Sequence, residues 1–243
     1  MVVKRRIDQL MVDRGAAPSR EKARALLMAG AVLVDEVAVV KPGALVHEHA
    51  TIRLKAKPMY VSRGGLKLAG ALKSFQVDVR DLVALDVGAS TGGFTDCLIQ
   101  DGVRRVYALD VGYGQLAQRI RSDERVVVLE RVNARHPFDL PEFVDIVTID
   151  VSFISLTKII PSVKRKLSPA GRIIALVKPQ FEAERKDVGR KGIIRDPGTH
   201  SRVLGDMVLW AVKNKLRVRG LIASPILGSE GNREFFLLLH AME

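Results

Sequence analysis

Leu85-Asp86-Val87-Gly88-Ala89-Ser90-Thr91-Gly92-Gly93-Phe94-Thr95-Asp96 passes from an apolar strand, through a run of small residues, into the first turn of a helix. That order opens a crossover unit, and its loop falls at the carboxyl edge of a parallel sheet, where ligands bind. Small side chains let a ligand approach the backbone, and free N–H groups at a helix start favour a carboxylate or phosphate. Working outward from the strand at 82–87, further apolar stretches at 105–109, 126–129, 145–149, 172–177, 218–224 and 234–240 read as strands. Helical stretches at 94–100, 156–167 and 200–215 fill most of the gaps. Only the short loop 225–232 separates the last two strands, so they should pair antiparallel. The expectation is an α/β fold with a Rossmann-like, seven-stranded, mostly parallel sheet and one reversed strand.

Several chemistries compete for the loop. A P-loop would need Lys-Ser/Thr after the second glycine, where Gly93-Phe94 stands, and a dinucleotide fingerprint would need glycine where Ser90 stands. Gly88-Ala89-Ser90-Thr91-Gly92 does satisfy the nucleophile elbow of hydrolases, but a triad also needs an acid and then a well-placed histidine. His200 begins a helical stretch and His240 lies inside an apolar strand. An S-adenosylmethionine pocket accounts for more residues. Asp110 closes the second strand, where a carboxylate can accept both ribose hydroxyls, and Asn133 follows the third, where it could meet an adenine edge. Each alone would pass as an ordinary strand-end polar residue. The candidate cofactor contacts are therefore Asp86, Gly88, Ala89, Ser90, Thr91, Gly92, Gly93, Phe94, Asp110, Val111, Asn133 and Asp150.

The 243 residues carry 39 Lys plus Arg against 27 Asp plus Glu, a net charge of +12 that favours a polyanionic partner. A lone cysteine, Cys97, excludes an internal disulfide framework and suits a reducing compartment. Lys4, Arg5 and Arg6 lead into Ile7-Asp8-Gln9 rather than an apolar run, so no signal peptide is expected, and no window reaches the roughly 20 apolar residues of a membrane helix. A cytoplasmic protein is expected, with no membrane partner. The five histidines are scattered, and no metal site is expected.

Composition shifts at Lys55 to Pro58, and residues 1–58 hold eleven Lys/Arg against six Asp/Glu, a denser positive charge than the remainder. Ile7, Leu10 and Met11 predict a short helix ending at Arg14-Gly15. Ser19 is placed to cap a second helix with Ala23, Leu26 and Leu27 inward, and Arg20 and Arg24 on an adjoining face. Gly30 ends it, and short strands at 32–34 and 37–40 flank Asp35-Glu36. The boundaries are thus 1–58 for a small α+β module, 59–80 for a linker and pre-domain segment, and 81–243 for the large domain.

Four blocks in order carry a resemblance: Tyr60-Val61-Ser62-Arg63-Gly64-Gly65-Leu66-Lys67-Leu68, the loop from Leu85 to Asp96, Ile149-Asp150-Val151-Ser152-Phe153-Ile154-Ser155-Leu156, and Val177-Lys178-Pro179-Gln180-Phe181-Glu182. Together they resemble the TlyA, or haemolysin-A-like, family of ribosomal RNA 2′-O-methyltransferases, and the front segment resembles the S-four-like RNA-binding module. The resemblance implies an FtsJ-type methyltransferase fold using S-adenosylmethionine, with cytidine in ribosomal RNA as target and ribosomal RNA or subunits as partner. It also implies a Lys-Asp-Lys-Glu tetrad, matched here by Lys67, Asp150, Lys178 and Glu234, with Glu230 a rival for the last place. Two departures stand out: Thr91 replaces the proline of the wider FtsJ pattern, and Glu36 stands where the front module's turn usually has glycine.

The residue types suit that chemistry. A ribose hydroxyl is a weak nucleophile while protonated, so transfer gains from a base in line with the methyl group. A lysine serves when burial or a neighbouring cation favours its neutral form. Lys178 is the candidate base and Lys67 its cationic neighbour, with Asp150 orienting Lys178 and Glu234 positioning Lys67 or the ribose. Lys67 alone reads equally as a solvated surface charge. Arg5, Arg6, Arg20, Lys22, Arg24 and Arg63 are candidate RNA contacts, although charges on a helix face also serve only to keep it soluble. Phe153 and Phe181 could stack on a flipped base or fill the core. The loop 182–197 mixes Glu184, Arg185, Lys186, Arg190, Lys191 and Arg195 with glycines and reads as a mobile lid or RNA-contacting loop. Two other classes stay open: a non-catalytic RNA-binding assembly factor on the same fold, and a membrane-active haemolysin.

Overall fold

A computed structural model of the chain describes residues 3–55, 58–189 and 192–241. Lys57, Arg190 and Lys191, which contribute to the charge pattern of the sequence, lie outside the described residues. Two compact units, Met1–Pro58 and Met59–Glu243, divide the chain.

In the first unit, β1 (Lys4–Arg6) leads directly into α1 (Ile7–Asp13), which stops where Gly15 turns left-handed at φ 71°. Ser19 caps α2 (Arg20–Met28), its side chain accepting from the Lys22 N–H. Ile7, Met11, Ala23, Leu27, Val32 and Val34 form the buried centre. The sequence points to strands only on either side of Asp35-Glu36, a single small sheet; among the described residues there are two sheets. β1 pairs with β4 (Leu45–His47), while β2 (Val32–Val34) lies between β3 (Val37–Ala38) and β5 (Ile52–Leu54). The hairpin at Asp35-Glu36 closes without glycine. Both residues take positive φ, 46° and 65°, as the turn that matches strand twist demands. The Thr51 N–H donates to Asp35 Oδ1 at 2.8 Å, and Arg53 Nη2 to Glu36 Oε2 at 2.6 Å, fixing both side chains.

The second unit is built on seven strands in the order β11-β12-β10-β9-β6-β7-β8. These are β6 (Val83–Val87), β7 (Arg105–Asp110), β8 (Val126–Glu130), β9 (Val144–Ile149), β10 (Leu167–Val177), β11 (Leu216–Ala223) and β12 (Phe235–Ala241). Only β12 is reversed, antiparallel to both β10 and β11. All of β6 and nearly all of β9 are buried, as a sheet covered on both faces requires. One face packs the helix Pro197–Lys213 through Val203, Met207 and Ala211; the other packs α4 (Gly93–Gln100) through Phe94, Cys97 and Leu98.

Two expectations need correction here. Residues 59–80 are not a linker: α3 (Arg63–Phe75) lies there and buries Leu68, Ala71 and Leu72 beside α4. Its glycines hide it from a propensity reading. A Cβ at Gly65 would collide with the Tyr60 ring, so the glycine serves close packing rather than a turn. Nor does one helix fill 156–167. A 3-10 turn at Leu156–Lys158 precedes a short helix, Ile160–Lys164, because Pro161 is tolerated only in a helix's first turn.

Candidate active site

After β6 the chain takes left-handed conformations at Gly88 (φ 85°), Ser90 (φ 47°) and Gly92 (φ 93°). Gly88 admits no side chain, since a Cβ would collide with the main-chain oxygen of Asp150 at the end of β9. Gly92 caps α4 and faces inward, where a Cβ would sit 2.8 Å from Leu116 Cδ1. The Ser90 N–H donates to Asp110 Oδ2 at 2.8 Å, and the Gly112 N–H to Asp110 Oδ1 at 2.7 Å. Asp110 therefore ties the loop to the next turn and keeps an acceptor lone pair on each oxygen.

A cavity of about 480 Å³ opens beside the loop, between Gly88, Ser90, Asp110, Val111 and Asn133, with apolar walls from Leu109, Ala134 and Ile154. A second, of about 270 Å³, lies on the loop's other side, lined by Gly88, Ala89, Ser90, Thr91, Gly93 and Phe94. The same cavity contains Lys67, Asp150, Lys178 and Glu234. Gly88, Ser90, Asp150 and Ser152 belong to both, so the two spaces meet at the end of β9. Among the described residues no histidine lines either, which leaves the nucleophile-elbow reading of Ser90 without a base.

Strand register explains how four distant residues converge. β9 and β10 are parallel neighbours, so Asp150, just past Ile149, comes beside Lys178, just past Val177. Lys178 Nζ lies 2.6 Å from Asp150 Oδ1 and donates to Ser152 Oγ at 2.9 Å. β12 runs antiparallel with Phe235 opposite Val177, which brings Glu234 to the same edge. Glu234 Oε2 accepts from Lys67 Nζ, at 2.6 Å, delivered by α3. Lys67 and Glu234 are only 9% and 3% exposed, so the lysine is not a solvated surface charge. Each cation has a carboxylate, and removing one partner would strand the other in a poorly hydrated site. Glu230, the rival for the fourth position, is exposed.

Asp86 corrects the sequence reading. It is fully buried beneath the loop, lines neither cavity, and accepts from Thr95 Oγ1 at 2.6 Å and Thr148 Oγ1 at 2.9 Å. Burial pushes its carboxyl up to about 6. The folded pKa lies above the unfolded value near 3.9, so stability from the neutral acid is full below about pH 4 and is lost as pH rises through about 6. That difference corresponds to roughly 3 kcal/mol. Asp86→Asn is expected to abolish this component: in urea melts between pH 4 and 7, variant stability should gain progressively on wild type. Parallel curves would show that Asp86 does not titrate in this window.

Phe153 is not core. It is 90% exposed with φ 64°, and its ring centroid lies 5.0 Å from that of Phe181. The sequence leaves base stacking and core packing open for Phe153, and its exposure removes the second. Ser152 beside Lys178 is silent in the sequence, because serine has no periodic signal. Arg63 is exposed at the rim of the smaller cavity and donates to the Leu227 carbonyl at 2.8 Å. The loop expected to be a lid is tied down in part, since Asn232 accepts from the Ile194 N–H at 3.0 Å and donates to the Gly192 carbonyl at 2.9 Å.

Among the candidate RNA contacts in the first unit, several arginines turn out to be held internally. Asp8, fully buried, accepts from Arg6 Nη2 and Arg20 Nε, both at 3.0 Å, and the hydrogen bond from Arg6 is the main cause holding its carboxyl down to about 2. Arg5 pairs with Asp13 and, at 3.8 Å, Glu48. Lys22 and Arg24 are exposed, with no carboxylate partner among the described residues.

A seven-stranded sheet with one reversed strand, and a nucleoside-sized space at its glycine loop, define the methyltransferase class of α/β proteins. The FtsJ-like methyltransferase family matches residues 60–241, and the S4 domain family matches residues 5–52. A Bacillus subtilis protein named "Putative rRNA methyltransferase YqxC" is 50% identical, covering 98% of this chain and 86% of that protein. The Mycobacterium tuberculosis "16S/23S rRNA (cytidine-2'-O)-methyltransferase TlyA" is 42% identical over 98% of this chain and 91% of its own. A solved structure titled "Putative hemolysin from Streptococcus thermophilus" superposes with a TM-score of 0.76 at 42% identity, covering 100% of this chain and 90% of that one. The chain belongs to the FtsJ-like methyltransferases, in their TlyA-like branch, with an S4 domain at the front.

Proposed function

We propose that this site transfers a methyl group from S-adenosylmethionine to the ribose 2′-hydroxyl of a cytidine in ribosomal RNA, in the cytoplasm. The Lys178–Asp150 pair carries the reading, because Asp150 lines both cavities and Lys178, 2.6 Å from it, lines the smaller. The larger cavity fits the cofactor: its walls are largely apolar, Asp110 keeps acceptor capacity for ribose hydroxyls, Asn133 lines it, and the backbone at Gly88 can be approached closely. When bound, S-adenosylmethionine supplies a methyl group on a positively charged sulfur. Lys178, in its amine form, would take the 2′-hydroxyl proton as the oxygen attacks the methyl carbon and the methyl–sulfur bond breaks, its electron pair going to sulfur, and Asp150 would neutralise the ammonium that results. Lys67, held by Glu234, fixes the ribose or its neighbouring phosphate. Phe153, backed by Phe181, offers a face to a base turned out of its helix. Lys22 and Arg24 of the S4 domain are free for phosphate contact.

Incubation of the protein with ribosomal subunits and methyl-labelled S-adenosylmethionine tests this reading. Ribose methylation removes the 2′-hydroxyl that alkali needs, so label should survive alkaline hydrolysis in a dinucleotide beginning with cytidine. Label on a free mononucleotide would place the methyl on a base, and no label at all would favour an RNA-binding factor without activity.

A further inference from the structure

Three strands of the sheet carry basic side chains in register. Arg172 of β10 stands opposite His240 of β12, and His240 stands opposite Arg217 of the edge strand β11. Register partners share one face, and strands lie about 4.8 Å apart, so the row spans roughly 10 Å. Arg219 adds a third guanidinium, at the irregularity between Val218 and Gly220. Arg217 and Arg219 are exposed, and Arg172 and His240 are half-buried.

The row lacks counter-charge. Several arginines elsewhere in the same unit are neutralised, Arg80 by Asp78, Arg105 by Glu142, Arg121 by Glu130 and Arg125 by Asp123; others, such as Arg131, Arg135, Arg165 and Arg233, also lack a carboxylate among the described residues, but they lie outside the strands. Among the described residues, Arg172, Arg217 and Arg219 have no carboxylate within 4.0 Å. Burial, then Arg172, Arg219 and Arg217, lowers the His240 pKa, and no acid opposes them. Arg172 and Arg217 flank His240 from its two neighbouring strands, and guanidinium groups gathered this closely without a counter-charge repel, so folding gains nothing from this arrangement. An anion bridging the guanidinium groups would remove the repulsion.

We infer that Arg172, Arg217, Arg219 and His240 form a second docking surface for RNA phosphates on the methyltransferase unit. It lies five register steps from the Val177–Phe235 pair at the reaction edge, about 17 Å along the strands. Planar guanidinium forks and a neutral imidazole suit phosphate oxygens along a nucleotide chain. A bilayer would demand apolar side chains for insertion, and the row contains none. The inference rests on RNA being the substrate.

The test uses the full chain carrying Arg172→Gln, Arg217→Gln and Arg219→Gln, with a ribosomal RNA fragment titrated across salt concentrations. The slope of log affinity against log salt should fall in magnitude by about 2 to 3, with affinity near 0.1 M salt reduced roughly tenfold. S-adenosylmethionine affinity and turnover at saturating RNA should hold. The unfolding midpoint should stay level or rise as the repulsion is relieved, and the triple Arg→Lys variant should keep most of the slope. An unchanged slope, or early unfolding that marks a structural role, overturns the inference. So does loss of binding to anionic vesicles with RNA affinity intact. If the substitutions change the slope but the wild type transfers no methyl, the surface stands and the proposed reaction falls. If the wild type transfers methyl and the slope does not change, the reaction stands and the surface falls.

Discussion

Lys178→Ala is expected to reduce methyl transfer by about 10³-fold, the scale of a positioned general base, while S-adenosylmethionine affinity changes by less than about threefold. The affinity should hold because Lys178 lines the smaller cavity and not the one fitted to the cofactor. Alanine alone does not separate proton transfer from charge, since it also leaves Asp150 without its 2.6 Å partner. Lys178→Arg makes that separation. Arginine keeps a cation for Asp150 but stays protonated at any working pH, so it cannot receive the hydroxyl proton. A base role predicts that arginine is nearly as inactive as alanine. An arginine variant within about tenfold of wild type would instead make Lys178 an electrostatic anchor, with the proton leaving to water.

Why this residue is legible in the sequence, and others are not, has a physical basis. Asp150 and Lys178 each follow the buried end of a strand, a place where a charge needs a reason, and parallel neighbouring strands put such ends side by side. Glu234 precedes a reversed strand and reaches the same edge by register. Lys67 has no such signal, because α3 is rich in glycine that serves packing, and a propensity reading cannot see the Tyr60 ring behind Gly65. Asp86 misleads in the other direction. Its place before Gly88 suggests a ligand contact, but strand alternation turns it inward onto Thr95 and Thr148. In the first unit, β1, β4 and β5 are three residues each, too short for alternation to register. Arg6 and Arg20 look free for RNA in the sequence because the burial of Asp8 between them depends on tertiary packing.

Gly88→Ala is expected to abolish transfer and weaken S-adenosylmethionine binding by two orders of magnitude or more, a loss of about 3 kcal/mol or above. Two separate obstacles act at this position. Alanine at φ 85° adopts a conformation that costs on the order of 1 kcal/mol, and its methyl would also occupy the space of the Asp150 main-chain oxygen. A folded domain tolerates the backbone strain alone; the collision is relieved only by moving the loop or the end of β9. Either movement separates Ser90 from Asp110 or Asp150 from Lys178. Gly15→Ala supplies the control, since Gly15 has φ 71° and open space around its missing Cβ. It should cost about 1 kcal/mol in an unfolding measurement and leave cofactor affinity unchanged. Isothermal titration with S-adenosylmethionine separates the two variants. If Gly88→Ala bound the cofactor as tightly as Gly15→Ala, close approach at Gly88 could not be what shapes the pocket, and the larger cavity would lose its claim to the methyl donor.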